Sequence, residues 1–310
     1  MITRRAASGR RVVYAFRKGR NLYGLGENRD GSRPTWSILA RVLSAALVGC
    51  AAVSAGNVLA AEASYETIRD VVYTPLTGGP LRADVYRPTG PGPFPAVLCV
   101  HGGAWTVGNK NQVAGIARRL AEAGYTVVAI DYRLAPKHKF PDQIEDCRAA
   151  LRWMRENAQQ YKIDPKRLGA WGYSAGGHLV ALLGVSGVGL KAVVAGGAPC
   201  DFRQVPPNSR RLAFWLGGTR GQLPKVYQSA SPASFVSPDD PPMFFYHGQR
   251  DQVVDIAHPT EMVAALKRSG VTAEMYVVPH AGHLGAFFDR SAVTEGIKFL
   301  DEHLAVSRPD

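Results

Sequence analysis

The sequence predicts an α/β fold, with one mostly parallel eight-stranded sheet and helices on both faces. Three observations carry this. From residue 62 onward, apolar runs of strand length alternate with runs of helical spacing. Several strand runs, "PAVLCV" among them, are apolar throughout, as strands covered on both faces are. The two opening runs, "YETIRDVVY" and "LRADVYRP", are instead joined by a short Thr/Gly/Pro turn and read as a hairpin that adds antiparallel strands at one edge.

The elements follow in order after that hairpin. "PAVLCVHGG" is a buried strand. "QVAGIARRLAEAG" has helical spacing and stops at Gly124, a C-cap residue. "YTVVAIDYR" is the next strand. "PDQIEDCRAALRWMRENAQQY" is a long amphipathic helix with Ile144, Cys147, Leu151 and Met154 on one face. Strand "RLGAWGY" leads into helix "SAGGHLVALLG", and strand "LKAVVAGGAP" follows. The stretch from about 200 to 239 is irregular and reads as a short lid between strands. Strand "PMFFYHGQRD", helix "PTEMVAALKRSG", strand "AEMYVVPH" and a helix from about 290 to 304 complete the chain. Residues 62–310 therefore read as one domain, with no internal repeat.

The formal charge of +12 on 310 residues suggests an acidic partner until it is located. Residues 1–61 hold ten Lys/Arg and two Asp/Glu, which leaves 27 basic and 23 acidic residues, a net +4, in the rest. The body has no basic stripe with interleaved aromatics, so nucleic acid is not an expected partner. The leader itself has the form of an export signal: "VLSAALVGCAAVSAGNVLAA" carries no charge, follows Arg41 and ends in small residues. Cleavage after Ala60 is one expectation. Lipidation of Cys50 in "LVGC" and an uncleaved anchor are the others, and they are the only routes to a membrane. The expected location is periplasmic or extracellular. Of the remaining cysteines, Cys99 and Cys147 read as buried small hydrophobes. Cys200 joins them in a spacing without a CxxC pair.

Ligands of open α/β sheets bind beyond the carboxyl ends of the strands. Four strands deliver reactive residue types there. "GYSAG" fits G-x-S-x-G, with Gly172 and Gly176 permitting a tight strand-to-helix turn that exposes the Ser174 hydroxyl. A serine at this place can also simply cap the helix. Asp251 follows "MFFYHGQR", with Asp255 as its rival, and His283 follows "AEMYVVP", with His280 as its rival. The order Ser174–Asp251–His283 is that of a nucleophile, the acid that orients a base, and the base. Asp255 is nearer the next helix, where a cap is expected, and His283 lies in a glycine-bearing loop. "HGGAW" offers backbone N–H groups to an oxyanion from Gly103 and Ala104, with Gly102 enabling the turn and Ala175 supplying a further donor. Trp105, Tyr173, Phe214 and Trp215 are candidate pocket residues, with packing of the lid onto the core as the competing role for its aromatics. Metal-ligand spacing is absent, so a metal site is not expected.

"HGGAW", "DYRLAPKHKFPDQIEDCRAALRWMREN", "WGYSAGGHLVALL" and "HGQRD" with a later "GH" together resemble α/β-hydrolase-fold serine esterases. The resemblance runs from about Glu62 to the C-terminus. It is nearest to hormone-sensitive-lipase-like esterases and, closer still, to a bacterial feruloyl- and acetyl-esterase-like branch. It implies cofactor-free hydrolysis of small or carbohydrate-linked acyl esters through an acyl-enzyme. Ala104 stands where the first branch has a third glycine, and no residues remain after the leader for a large N-terminal cap. An amidase, formamidase or peptidase with the same triad is one alternative. A non-catalytic binding module on the same scaffold is the other.

Overall fold

The computed structural model describes residues 64–304. The leader readings, including Ala60 and Cys50, lie outside the described residues. Eight strands form one sheet: β1 (Tyr65–Thr74), β2 (Leu81–Pro88), β3 (Phe94–Val100), β4 (Thr126–Ile130), β5 (Ile163–Tyr173), β6 (Ala192–Gly196), β7 (Met243–Gly248) and β8 (Ala273–Val278). Their order is β1-β2-β4-β3-β5-β6-β7-β8. β1 pairs antiparallel with β2, and β2 with β4; all other pairs are parallel. The sheet is thus the one the strand pattern predicts, with the hairpin at one edge.

Among the described residues the α-helices are α1 (Ala114–Glu122), α2 (Asp142–Glu156), α3 (Ala175–Gly184), α4 (Ala213–Leu216), α5 (Pro224–Ser229), α6 (Ala257–Arg268), α7 (His283–Phe287) and α8 (Arg290–Leu304). They divide between two cores because side chains alternate along each strand. In β3, Leu98 and Val100 join a core with Ile144, Cys147, Leu151 and Met154 of α2, Leu179 and Val180 of α3, and Met262 and Leu266 of α6. Val97 and Cys99 face the other way, toward Leu120 of α1 and Leu300 of α8. The apolar face read from the α2 sequence is therefore the buried one. All ten residues of α3 are buried, which fixes the helix that starts directly after Ser174.

Between β6 and β7 the chain is less irregular than its sequence suggests. It contains α4, α5 and a short 3-10 turn, Pro232–Ser234. Helices of four and six residues are too short to show a period, so the pattern does not reveal them. Trp215 holds this segment down. Its ring stacks on Trp105 with centroids 3.8 Å apart and 1° between planes, and its Nε1 donates to Gln143 Oε1 at 3.0 Å. Phe202 meets both indoles edge-on.

Candidate active site

Sheet order brings the ends of β3, β5, β7 and β8 to one edge, and the candidate residues with them. Ser174 sits between β5 and α3 with φ 56° and ψ −119°, a conformation an L-residue rarely adopts. The neighbouring glycines explain how the turn closes. A Cβ on Gly172 would stand 2.3 Å from Gly176 O, and one on Gly176 would stand 2.1 Å from Val100 O. The Ser174 side chain makes no capping hydrogen bond to α3, so a cap does not account for it. Its N–H donates instead to Gly196 O at 2.8 Å.

His283 stands close to the same turn. A Cβ on Gly197 would lie 3.1 Å from His283 Cε1, and the His283 ring lies 5.2 Å from that of Tyr173. The loop reading of His283 is corrected in detail: extended backbone at Gly282 lets the chain coil at once, so His283 is the first residue of α7. His283 Nδ1 meets Asp251 Oδ2 at 2.6 Å. A carboxylate only accepts, so Nδ1 carries the proton and Nε2 is left bare, the tautomer a base requires.

Asp251 is held from all sides, its side chain fully buried. Oδ1 accepts from the N–H groups of Val253 and Val254 at 2.8 and 3.0 Å. Burial alone would raise its pKa, but the hydrogen bond and charge of His283 outweigh burial and hold it below the ordinary value. The rival carboxylate, Asp255, accepts from Ala257 N at 2.9 Å and so caps the start of α6. His280 donates its N–H to Gln249 and is exposed.

The loop after β3 provides the third component. Gly103, Ala104 and Trp105 have φ of 108°, 50° and 61°, a left-handed turn closed by Val107 N donating to Gly103 O at 3.0 Å. Gly103 must be glycine, since its Cβ would fall 1.9 Å from Val107 O. Among the described residues, Gly103, Ala104 and Ala175 donate to no backbone acceptor. Gly102 packs against the serine: a Cβ there would lie 3.4 Å from Ser174 Cβ.

The pocket candidates divide. Trp215 is fully buried and Trp105 nearly so, and their mutual stack makes them the seam between lid and core rather than an open wall. Trp105 Nε1 also donates to His178 Nδ1 at 3.3 Å, while His178 Nε2 donates to Ala230 O at 2.7 Å. Phe214 is half-buried beside the same core. Tyr173 is buried too, and its hydroxyl donates to the backbone carbonyl of His283. It stands behind the histidine, a role with no sequence signal because the two residues are 110 positions apart.

Three further histidines are neutral by burial. His101, His178 and His258 each have pKa lowered to about 4, burial being the leading cause in every case. In the unfolded chain they titrate near 6.5, so between about pH 6.5 and pH 4 the unfolded state binds more protons than the folded one. Stability then rises with pH across that window. Each histidine is expected to remove about 3 kcal/mol on acidification from 6.5 to 4. Urea unfolding at half-unit steps checks this: the midpoint falls steadily below pH 6.5, whereas a flat midpoint down to pH 5 contradicts it.

The eight-stranded sheet and the strand-end turn at Ser174 are those of the α/β-hydrolase fold. Residues 83–266 match the family model BD-FAE, and the chain belongs to that family. Among curated proteins it is similar to esterase LipC of Mycobacterium tuberculosis, 32% identical over 62% of this chain and 53% of that protein. A probable isoprenylcysteine alpha-carbonyl methylesterase of Oryza sativa is 29% identical over 80% of this chain and 64% of its own length. The chain spans about half the length of the first curated relatives it matches. Among solved structures, a truncated carbohydrate esterase from gut microbiota superposes with TM-score 0.72 at 28% identity, covering 79% of this chain and 99% of the other. A thermophilic esterase of Thermogutta terrifontis gives 0.66 at 25% identity, covering 77% and 92%.

Proposed function

We propose that the protein hydrolyses carboxylic esters of small or carbohydrate-linked acyl groups through an acyl-enzyme. The observation that carries this is the 2.6 Å Asp251–His283 contact, with His283 packed on Tyr173 directly before a strained Ser174 that makes no capping hydrogen bond. His283 Nε2 takes the Ser174 proton as Oγ attacks the ester carbonyl. The N–H groups of Gly103, Ala104 and Ala175 receive the resulting oxyanion, each donor worth about 3–4 kcal/mol in the transition state. Collapse expels the alcohol, which takes the proton from His283. Water then gives its proton to the same nitrogen as it attacks the acyl carbon, and collapse breaks the acyl–Oγ bond while His283 returns the proton to Ser174 and the acid leaves.

The carbohydrate-linked part rests on the structural neighbour described as a carbohydrate esterase, nearly all of which this chain covers. The leader composition supports export, and among the described residues no helix is long and apolar enough to cross a membrane. Rates on p-nitrophenyl esters of graded chain length, acetylated xylan, methyl ferulate and arylformamides test the reading. Turnover of short acyl esters and of a carbohydrate-linked ester is expected. Preference for the arylformamides would move the protein to the amidases, and turnover of none would leave a binding module.

A further inference from the structure

We propose that His247 is a positioning residue that holds the acid loop, and with it the Asp251 carboxylate, in place for His283 through its Nε2–H bond to the Val254 carbonyl. The proposal rests on the reading of Asp251 and His283 as catalytic partners. His247 lies in β7, four residues before Asp251, and its side chain is fully buried. Its Nε2 is 2.9 Å from Val254 O and 3.3 Å from Asp251 Oδ2. A carbonyl oxygen can only accept, so Nε2 carries the proton and donates it to Val254 O, with Asp251 Oδ2 close by but outside hydrogen-bonding geometry.

The other ring nitrogen shows that this edge is the one that matters. Nδ1 is buried with no hydrogen-bond partner among the described residues. A leucine would fill the space without burying an unpaired nitrogen, so packing alone does not explain a histidine here. The charges of Asp251 and Asp255 and the rings of His258 and His283 act on it electrostatically. Burial lowers its pKa against the pull of Asp251, so it acts as a neutral donor.

The consequence is geometric. Val253 and Val254 N–H groups fix Oδ1, and His283 holds Oδ2 with the His247 ring 3.3 Å away. The same His247 proton ties the Val254 carbonyl back to β7, so the loop 249–254 and the carboxylate are held together. Without it, the acid loop loses its side-chain tie to the sheet, and the carboxylate held by the Val254 N–H can shift away from His283.

His247→Leu, His247→Asn and His247→Gln test this, with kcat and KM on p-nitrophenyl acetate and the far-downfield NMR proton of the Asp251–His283 hydrogen bond. Leu has no donor, Asn places its amide near the Nδ1 position, and Gln places its amide near Nε2. Leu and Asn are expected to lower kcat on the order of 10- to 100-fold with little change in KM, and to broaden or shift the downfield proton. Gln restores most of both. Should the Leu variant fail to fold, Asn against Gln carries the comparison. An unchanged downfield proton in folded Asn or Leu variants, or equal losses in Asn and Gln, overturns the proposal. A wild type without esterase activity whose downfield proton still responds to His247→Asn would refute the proposed function and leave the positioning role standing.

Discussion

Ser174→Ala lowers kcat for a p-nitrophenyl ester by about 10⁶-fold, the loss found when a triad nucleophile is removed. The substitution deletes the attacking oxygen and little else. The hydroxyl caps no helix, so α3 keeps its hydrogen bonds. The strained φ of 56° remains, because alanine also carries a Cβ. The Ser174 N–H keeps its bond to Gly196 O. Thermal unfolding of the variant is therefore expected within about 0.5 kcal/mol of the parent. Residual turnover within 100-fold of the parent would place the nucleophile elsewhere, and a large loss of stability would mean that the serine is structural.

Asp251→Asn is the second large effect, on the order of 10⁴-fold in kcat. The amide can present its NH₂ to His283 Nδ1 where the carboxylate could only accept. That contact then favours the imidazole with its proton on Nε2, the wrong tautomer for a base. The amide also carries no charge to offset an imidazolium. The lowered carboxylate pKa contributes stability that is fully present above the ordinary aspartate range and fades only in acid, so the variant also loses that contribution at pH 7 to 8, and its folding is checked there beside kcat. Asp255→Asn is the control. Its carboxylate caps α6 through Ala257 N, a bond the Asn amide oxygen can also accept, so that change leaves both stability and kcat nearly untouched. Comparable kcat losses in the two variants would mean the geometry assigns the wrong acid.

Much of this was legible in the chain because it is local. The continuous apolar runs of β3 and β4 announce a sheet covered on both faces, and Gly172, Ser174 and Gly176 announce a tight turn within five residues. Asp251 and His283 are readable because each follows a strand directly. What sequence hides is contact between distant residues. Trp105 meets His178 across 73 positions, Trp215 meets Gln143 across 72, and neither partner carries a pattern that names the other. An aromatic in a lid and an aromatic in a pocket look alike until burial separates them, which is why Trp215 reads either way in the sequence. His247 is hidden for a different reason. A histidine at a strand end has many uses, and only its distances to Val254 O and Asp251 Oδ2 select one.

The central claim is that Ser174, alone among the serines, is made nucleophilic by the turn that strains it and the histidine beside it. Treatment of the folded protein with a fluorophosphonate, followed by peptide mass spectrometry, tests it most directly. One label per chain is expected, on Ser174, lost when the protein is denatured first and slowed by orders of magnitude in Asp251→Asn. A label on another serine, or none while the protein turns over esters, would contradict it.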